Sequence, residues 1–379
     1  MLTPRENLLT MLRHERPEWT PVFGHVDNYS QPNRRGMDPE LEERLFCTEG
    51  PDQRTVEFSR NLGLDIADLY PVPLVATSPR VRMEEHREKE VLTSVWHTPA
   101  GDLQEVKRYS PGTGLWYTQE HLVKTKRDLP ALAALHEDQE FALSPDLLEL
   151  TRARRQLIGE EGLLLLGLPG TPLGQMVRVY AGAESLAYLW ADARAELRAT
   201  LEVMGENYER WCRLAAQVEE AEALITMDDT STTTQSPAMF EEFCLGYTDR
   251  MADICHAAGK FYLHHSCGLI RDLLPLYAQT RMDAVHAFTI PPVGDVAIAE
   301  GKAVLGSRIA LLPIVVQLMG DMSDREKVMQ GLEEMYAEAG EENVGFWFIA
   351  DPEKDMEDHA WLAGECLRLA RKPQREIRT

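Results

Sequence analysis

The sequence predicts an α/β fold, a (β/α)8 TIM barrel with an N-terminal elaboration and a β-hairpin insertion. Three observations lead there. Eight short apolar runs with strand character punctuate the chain, and segments of helical periodicity alternate with them through the second half. Pro and Gly are spread regularly and do not collect into a linker, which favours one continuous domain over 1–379. Strands that alternate with helices imply parallel pairing through crossover helices. A doubly wound open sheet is the alternative, but no Gly-x-Gly-x-x-Gly follows any of these strands, so a dinucleotide cradle has no support.

In chain order, residues about 1–20 form an N-terminal helix. The strands are expected at 21–24, 65–72, 163–168, 223–228, 260–265, 283–288, 303–307 and 344–350. The stretch at about 90–110, with a Pro99-Ala100-Gly101 turn, reads as the inserted hairpin. Helices are expected over 193–220, over 237–258 ending at Gly259, and over 324–339 ending at Gly340. Ser236 is placed to cap the second of these, with Pro237 in its first turn.

Composition narrows the partners. The chain has 39 Lys+Arg against 62 Asp+Glu, a net charge of −23, with 44% hydrophobic and 27% charged residues, so it is globular and strongly acidic. Such a field repels nucleic-acid backbones and anionic membrane surfaces, and neither is expected as the main partner. Arg5, Glu6, Arg13, Glu15 and Arg16 interrupt the N-terminus where a signal peptide needs an apolar run, and no segment has ~18 uncharged apolar residues in a row. A cytoplasmic protein is expected. The six cysteines lack paired spacing, and most are expected reduced and inert.

In a barrel, reactive groups sit where strands end and loops begin. In Phe261-Tyr262-Leu263-His264-His265-Ser266-Cys267-Gly268, His265 and Cys267 are two apart, so both side chains leave an extended backbone on the same side and can meet one ion. Imidazole and thiolate suit zinc, and Gly268 lets the chain turn sharply behind them. The alternative is a satisfied core histidine and a small buried cysteine. In Met227-Asp228-Asp229-Thr230, the adjacent carboxylates point to opposite faces, so one of Asp228 and Asp229 faces the mouth, with Gln235 lining the loop. The inward one orients a ligand, binds substrate or acts as acid/base, unless the segment is plain loop. His286 ends the next strand as ligand, proton donor or packed histidine. Asp351 and Glu353, after the last strand, are either further metal ligands or an exposed turn. The Gly167 to Pro172 run lacks the Lys of a phosphate loop and reads as a tight βα loop.

Taken together, TPRENLLTMLRHERPEWTPV, LGLDIADLY, GTPLGQMVRVYAGAESLAYL, the MDDTSTTTQSPAMFEEFC block, HHSCG and DAVHAFTIPPVGD occur in the order seen in the uroporphyrinogen decarboxylase superfamily. The HSCG element resembles its corrinoid-dependent methyltransferase branch. The Arg-Gln-Ala-Gly-Arg run with which true decarboxylases grip porphyrinogen carboxylates is replaced here by Gly24-His25-Val26-Asp27-Asn28-Tyr29. The resemblance implies a barrel mouth that receives a methylated cobalamin-type corrinoid from a partner corrinoid protein and passes the methyl group to a small-molecule acceptor. A thiol or tetrahydrofolate is the implied acceptor, and a homodimer the implied assembly. Thiol-methylating members hold zinc with a His-x-Cys pair, matched by His265 and Cys267, and a further Cys on the last strand, where this chain has none and Cys366 comes too late: either Asp351, Glu353 or His286 then completes the site, or metal binds weakly or not at all. With a tetrahydrofolate acceptor, acid assistance from Asp229 matters more. A decarboxylase or lyase acting on a multicarboxylate, and a non-catalytic corrinoid- or metal-binding accessory protein, are the competing functions.

Overall fold

The computed structural model describes residues 1–25, 54–315, 322–350 and 356–371. Its strands are β1 (Val22–His25), β2 (Asp65–Pro71), β3 (Leu74–Thr77), β4 (Arg82–Glu88), β5 (Val91–Thr98), β6 (Gly101–Ser110), β7 (Leu115–Glu120), β8 (Glu140–Leu143), β9 (Gly162–Leu168), β10 (Ala223–Thr226), β11 (Phe261–His265), β12 (Ala284–Phe288), β13 (Ala310–Pro313) and β14 (Phe346–Ile349). Eight of them form one sheet in the order β13-β12-β11-β10-β9-β2-β1-β14, every neighbouring pair parallel. The sheet closes where β13 meets β14: Leu311 pairs with Val344 and Ile314 with Trp347, and the Val315 N–H donates to the Trp347 carbonyl at 3.0 Å. This is the eight-stranded parallel barrel that the alternation of elements predicts.

Strand parity sorts the side chains into two cores. Leu163 and Leu165 of β9 pack with Phe23, Ala223, Ile225 and Leu263 inside the barrel, whereas Leu166 and Leu224 pack outward under the helices. Burial on both faces is what near-continuous apolar strands of a parallel sheet require. The same parity carries His265 and Cys267 inward, after Phe261 and Leu263. In β12 it is broken once: the register slips between His286 and Phe288, and Ala287, at φ 61°, joins the inner core while Phe288 joins the outer one. The bulge thus keeps His286 and Ala287 inward in succession and turns Phe288 outward.

The lower end of the barrel is plugged by α1 (Pro4–Leu12). It starts on a capping box: the Thr3 hydroxyl accepts from the Glu6 N–H, and the Glu6 carboxylate accepts from the Thr3 N–H at 2.8 Å. Leu8, Met11 and Leu12 of this helix are buried in the inner core, each contributing roughly 1.5–3 kcal/mol by burial. Above them a small apolar cavity of about 30 Å³ reaches His25, His286 and Trp347.

Four expectations differ from the structure. The N-terminal helix expected over about 1–20 spans only Pro4–Leu12, closing at Arg13. The run at 303–307 is not a strand: it ends the Ile298–Leu305 helix, which stops at Gly306 with φ 67°, and the strand is β13, a few residues later. A short apolar run has no periodicity to tell helix from strand. The hairpin of β5 and β6 is the centre of a four-stranded antiparallel sheet, β4-β5-β6-β7, inserted between β2 and β9. The helix expected over 237–258 is two, Pro237–Phe243 and Leu245–Ala257, joined at Cys244.

Asp65, at the start of β2, ties the barrel to the segment after α1: its Oδ2 accepts from the Trp19 indole N–H at 3.3 Å and the Val22 N–H at 3.2 Å. Burial pushes its carboxyl up to about 6, against the pull of these two donors. Between about pH 4 and pH 6 the native state therefore holds a proton that the unfolded chain has lost, so this group's contribution to stability falls as pH rises through that window. Asp65→Asn keeps the acceptor and cannot ionise. Relative to wild type, its stability in urea titrations is expected to improve by up to about 3 kcal/mol between pH 4 and pH 7. A difference that stays flat across that range contradicts the buried proton.

Candidate metal centre at the barrel mouth

The mouth is built from the ends of β10, β11 and β12 and the loop after β9. Among the described residues, Asp229, His265 and Cys267 are the group of acidic, His and Cys side chains whose donor atoms all lie within 4.8 Å of one another. His265 Nε2 is 3.6 Å from Asp229 Oδ1, and the Cys267 thiol donates to the same oxygen at 3.6 Å. Zinc bonds of roughly 2.0–2.3 Å make the donor-to-donor edges of a tetrahedral set roughly 3.3–3.7 Å. Both distances fall on that edge. One carboxylate oxygen, one imidazole nitrogen and one sulfur form a donor set that suits zinc, with a position left over for a further ligand.

The two carboxylates of Asp228-Asp229 part company. Asp229 is the one at the mouth, its side chain 49% exposed, and the Arg178 guanidinium forms an ion pair with it, Nε 3.0 Å from Oδ2. A second Arg178 nitrogen donates to the Met227 carbonyl at 2.8 Å, so the guanidinium clamps the end of β10 and leaves Oδ1 facing His265 and Cys267. Asp228 turns the other way and is fully buried. Its Oδ2 accepts from the Thr171 N–H at 3.1 Å and from the Thr171 hydroxyl, and that hydroxyl in turn caps the short Pro172–Gln175 helix. Burial lifts the Asp228 carboxyl to about 6. Among the described residues its other oxygen has no hydrogen-bond partner, and it fills the place a Cβ on Gly174 would take. Gln235 is also buried, its Oε1 3.9 Å from the Cys244 sulfur. Both residues hold loops and do not line the mouth.

Burial sets the protonation of the donors. It pushes the Cys267 thiol up to about 12, helped by the neighbouring Asp229 carboxylate. It pulls His265 down to about 4, against the attraction of Asp229. The turn behind them is made by Gly268, at φ 101°, where a Cβ would come 2.9 Å from the Ser231 hydroxyl; a glycine is required at this approach. The Gly268 N–H donates to the Thr289 hydroxyl at 2.7 Å, tying the β11 loop to the end of β12. His264, the neighbour of His265, points outward and is a packed histidine: its Nε2 lies 3.1 Å from the Thr230 hydroxyl, and its ring meets Phe240 and Tyr277 edge-on.

His286 is the register partner of His265 on the next strand and lines the apolar cavity above α1. Its Nδ1 lies 3.0 Å from the Nδ1 of His265, and its ring centroid 3.9 Å from that of Trp347. It does not join the Asp229, His265 and Cys267 group. Asp351 and Glu353 lie outside the described residues. Sequence reasoning does not reach Arg178 or Trp347. Arg178 sits in Met176–Tyr180, a π-helical turn of the kind that functional sites favour, and the only cue is a basic residue between Val177 and Val179. Trp347 has a better one, a large aromatic on an inward position of the last strand.

The family model for uroporphyrinogen decarboxylase (URO-D) matches residues 108–341. The chain belongs to the uroporphyrinogen decarboxylase family. No curated protein matches the sequence. Among solved structures, a methyltransferase from Methanosarcina mazei superposes with a TM-score of 0.60 at 16% identity, covering 97% of this chain and 99% of that one. A B12-independent methionine synthase from Shewanella sp. W3-18-1 gives a TM-score of 0.47 at 8% identity, over 96% and 95% of the two chains. At 16% identity the likeness to the Methanosarcina mazei protein is one of fold. No described helix is long and apolar enough to cross a membrane.

Proposed function

We propose that this member of the family is a methyltransferase. It moves a methyl group between a methylcorrinoid, presented by a separate corrinoid protein in the cytoplasm, and a small acceptor such as a thiol or tetrahydrofolate, with zinc at the barrel mouth. The observation that carries the reading is the convergence of Asp229, His265 and Cys267 donor atoms within 4.8 Å at that mouth. The likeness of fold to a protein described as a methyltransferase supports the choice of chemistry within the family.

His265 Nε2, the Cys267 sulfur and Asp229 Oδ1 would hold the zinc, with Asp351 or Glu353 as candidates for a further ligand. Zinc held there supplies positive charge that favours the thiolate of an acceptor thiol near neutral pH. The chain's own residues do the rest. Arg178 restrains Asp229 so that one oxygen, and not two, is offered to the cation. Thr171 and Asp228 hold the β9 loop, and through it the helix turn that carries Arg178, in place. Gln235, just before the Pro237–Phe243 helix, reaches Cys244 at that helix's far end from within. The small acceptor and the donor then need mainly positioning over the mouth. Because Oδ2 of Asp229 already faces Arg178, the arrangement favours Asp229 as a ligand over Asp229 as an acid, and a thiol acceptor over a pterin.

The test is to load the purified protein with zinc, add methylcobalamin with coenzyme M, homocysteine or tetrahydrofolate, and follow the cobalamin spectrum. Demethylation with at least one acceptor is expected, and fastest with a thiol. Zinc-loaded protein that demethylates methylcobalamin with none of them overturns methyl transfer.

A further inference from the structure

His265 and His286 face one another through the same ring atom. Their Nδ1 nitrogens are 3.0 Å apart, with ring centroids 5.1 Å apart and a tilt of 47°. Two imidazole nitrogens at this distance share one proton, since two lone pairs or two N–H groups would repel. The bridge therefore has two arrangements. In the first, His265 donates its Nδ1–H to His286. The Nε2 lone pair of His265 is then bare and faces Asp229 Oδ1, 3.6 Å away, while His286 carries its own proton on Nε2. In the second, His286 donates from Nδ1, and His265 carries its proton on Nε2, turned toward the carboxylate.

Only the first arrangement leaves His265 fit to ligate a cation between Asp229 and Cys267, because a ring nitrogen bonds a metal through its lone pair. His286 is well placed to hold it. The residue is 5% exposed, its ring centroid lies 3.9 Å from that of Trp347, and it sits at the register shift of β12. Its Nδ1 is thereby kept in one position, beside His265 and away from the three donor atoms.

The geometry points to His286 as a positioning residue that accepts the His265 Nδ1–H and so selects Nε2 as the metal-binding nitrogen. The inference rests on the zinc reading above and assigns His286 a place beside His265, not on the metal. Metal-ligating histidines commonly need such an outer acceptor, and its loss typically weakens metal affinity roughly 10–100-fold.

The full chain is titrated with zinc against a chromophoric chelator for wild type, His286→Leu and His286→Asn, and histidine tautomers are read from long-range ¹H–¹⁵N spectra of the zinc-loaded wild type. Asn offers a carbonyl oxygen near the place of Nδ1, and Leu offers nothing. The expected results are a roughly 10–100-fold loss of affinity in His286→Leu, its recovery in most part by His286→Asn, and a wild-type spectrum with His265 protonated on Nδ1 and His286 on Nε2. Equal affinities in wild type and His286→Leu, or a His286 protonated on Nδ1 in the zinc-loaded protein, overturn the role of His286 alone. A wild type that takes up no zinc removes the metal reading itself, and this inference with it. If His286→Leu does not fold, the wild-type tautomers decide.

Discussion

Cys267→Ser is expected to weaken zinc binding by roughly 10²–10³-fold and to abolish its steep pH dependence. The magnitude follows from the share of one ligand. Structural zinc sites with four ligands bind with about 10–16 kcal/mol, so a single thiolate accounts for about 3–4 kcal/mol. The pH dependence follows from the free protein. Its Cys267 thiol is pushed up to about 12 by burial and by Asp229, so between pH 6 and pH 8 the sulfur is protonated and must release that proton to become a ligand. His265, held down at about 4 by burial, is already neutral across this range and releases none. Wild-type affinity should then rise about tenfold per pH unit, the slope of one proton per zinc, and fall by the same factor on acidification. In the serine variant the hydroxyl does not ionise and the slope is lost. Competition titrations at three pH values check both statements. An affinity unchanged by the substitution would mean that the cation, if bound, sits elsewhere.

How far this site can be read without coordinates is set by the range of the interactions that build it. His265 and Cys267 are legible because strand parity is a local rule, and two residues apart means the same side. The choice between Asp228 and Asp229 is not, because it is made by Thr171, which is 57 residues away in the chain and takes Asp228 as its acceptor. Arg178 is invisible for the same reason: its contact with Asp229 depends on a π-helical turn that brings the loop after β9 over the end of β10. The fold behaves alike. Buried parallel strands announce themselves as apolar runs, and seven of the eight expected positions overlap barrel strands. The seventh run fails because an apolar helix end and a four-residue strand have the same composition. β4 escapes notice for a different cause: all seven of its residues are exposed, so Arg82 to Glu88 carry no apolar alternation. A charged edge of this sort blunts edge-to-edge pairing, and it erases the pattern by which strands are found.

Gly174→Ala should destabilise the protein by about 2–4 kcal/mol, although alanine is intrinsically the better helix former by about 1 kcal/mol. The glycine lies in the Pro172–Gln175 helix, and a Cβ there would stand 1.7 Å from Asp228 Oδ1 and 2.4 Å from its Cγ. That carboxylate is not the free end of a mobile side chain. It is fully buried and pinned by the Thr171 N–H and hydroxyl, so it moves only by giving up those bonds, a loss of about 1–3 kcal/mol at a buried group. Displacing it also disturbs Asp229, its neighbour in the chain, so zinc affinity should fall along with stability. A double-mutant cycle separates this from a general intolerance of the loop. Asp228→Ala removes both the clash and the anchor. If contact with Asp228 is the reason alanine is excluded, Gly174→Ala on the Asp228→Ala background should cost nothing further, leaving a coupling of about 2–4 kcal/mol in urea titrations. Additive losses in the cycle would instead place the cost in the backbone of the turn, and the packing of Asp228 against Gly174 would no longer explain why the β9 loop keeps a glycine there.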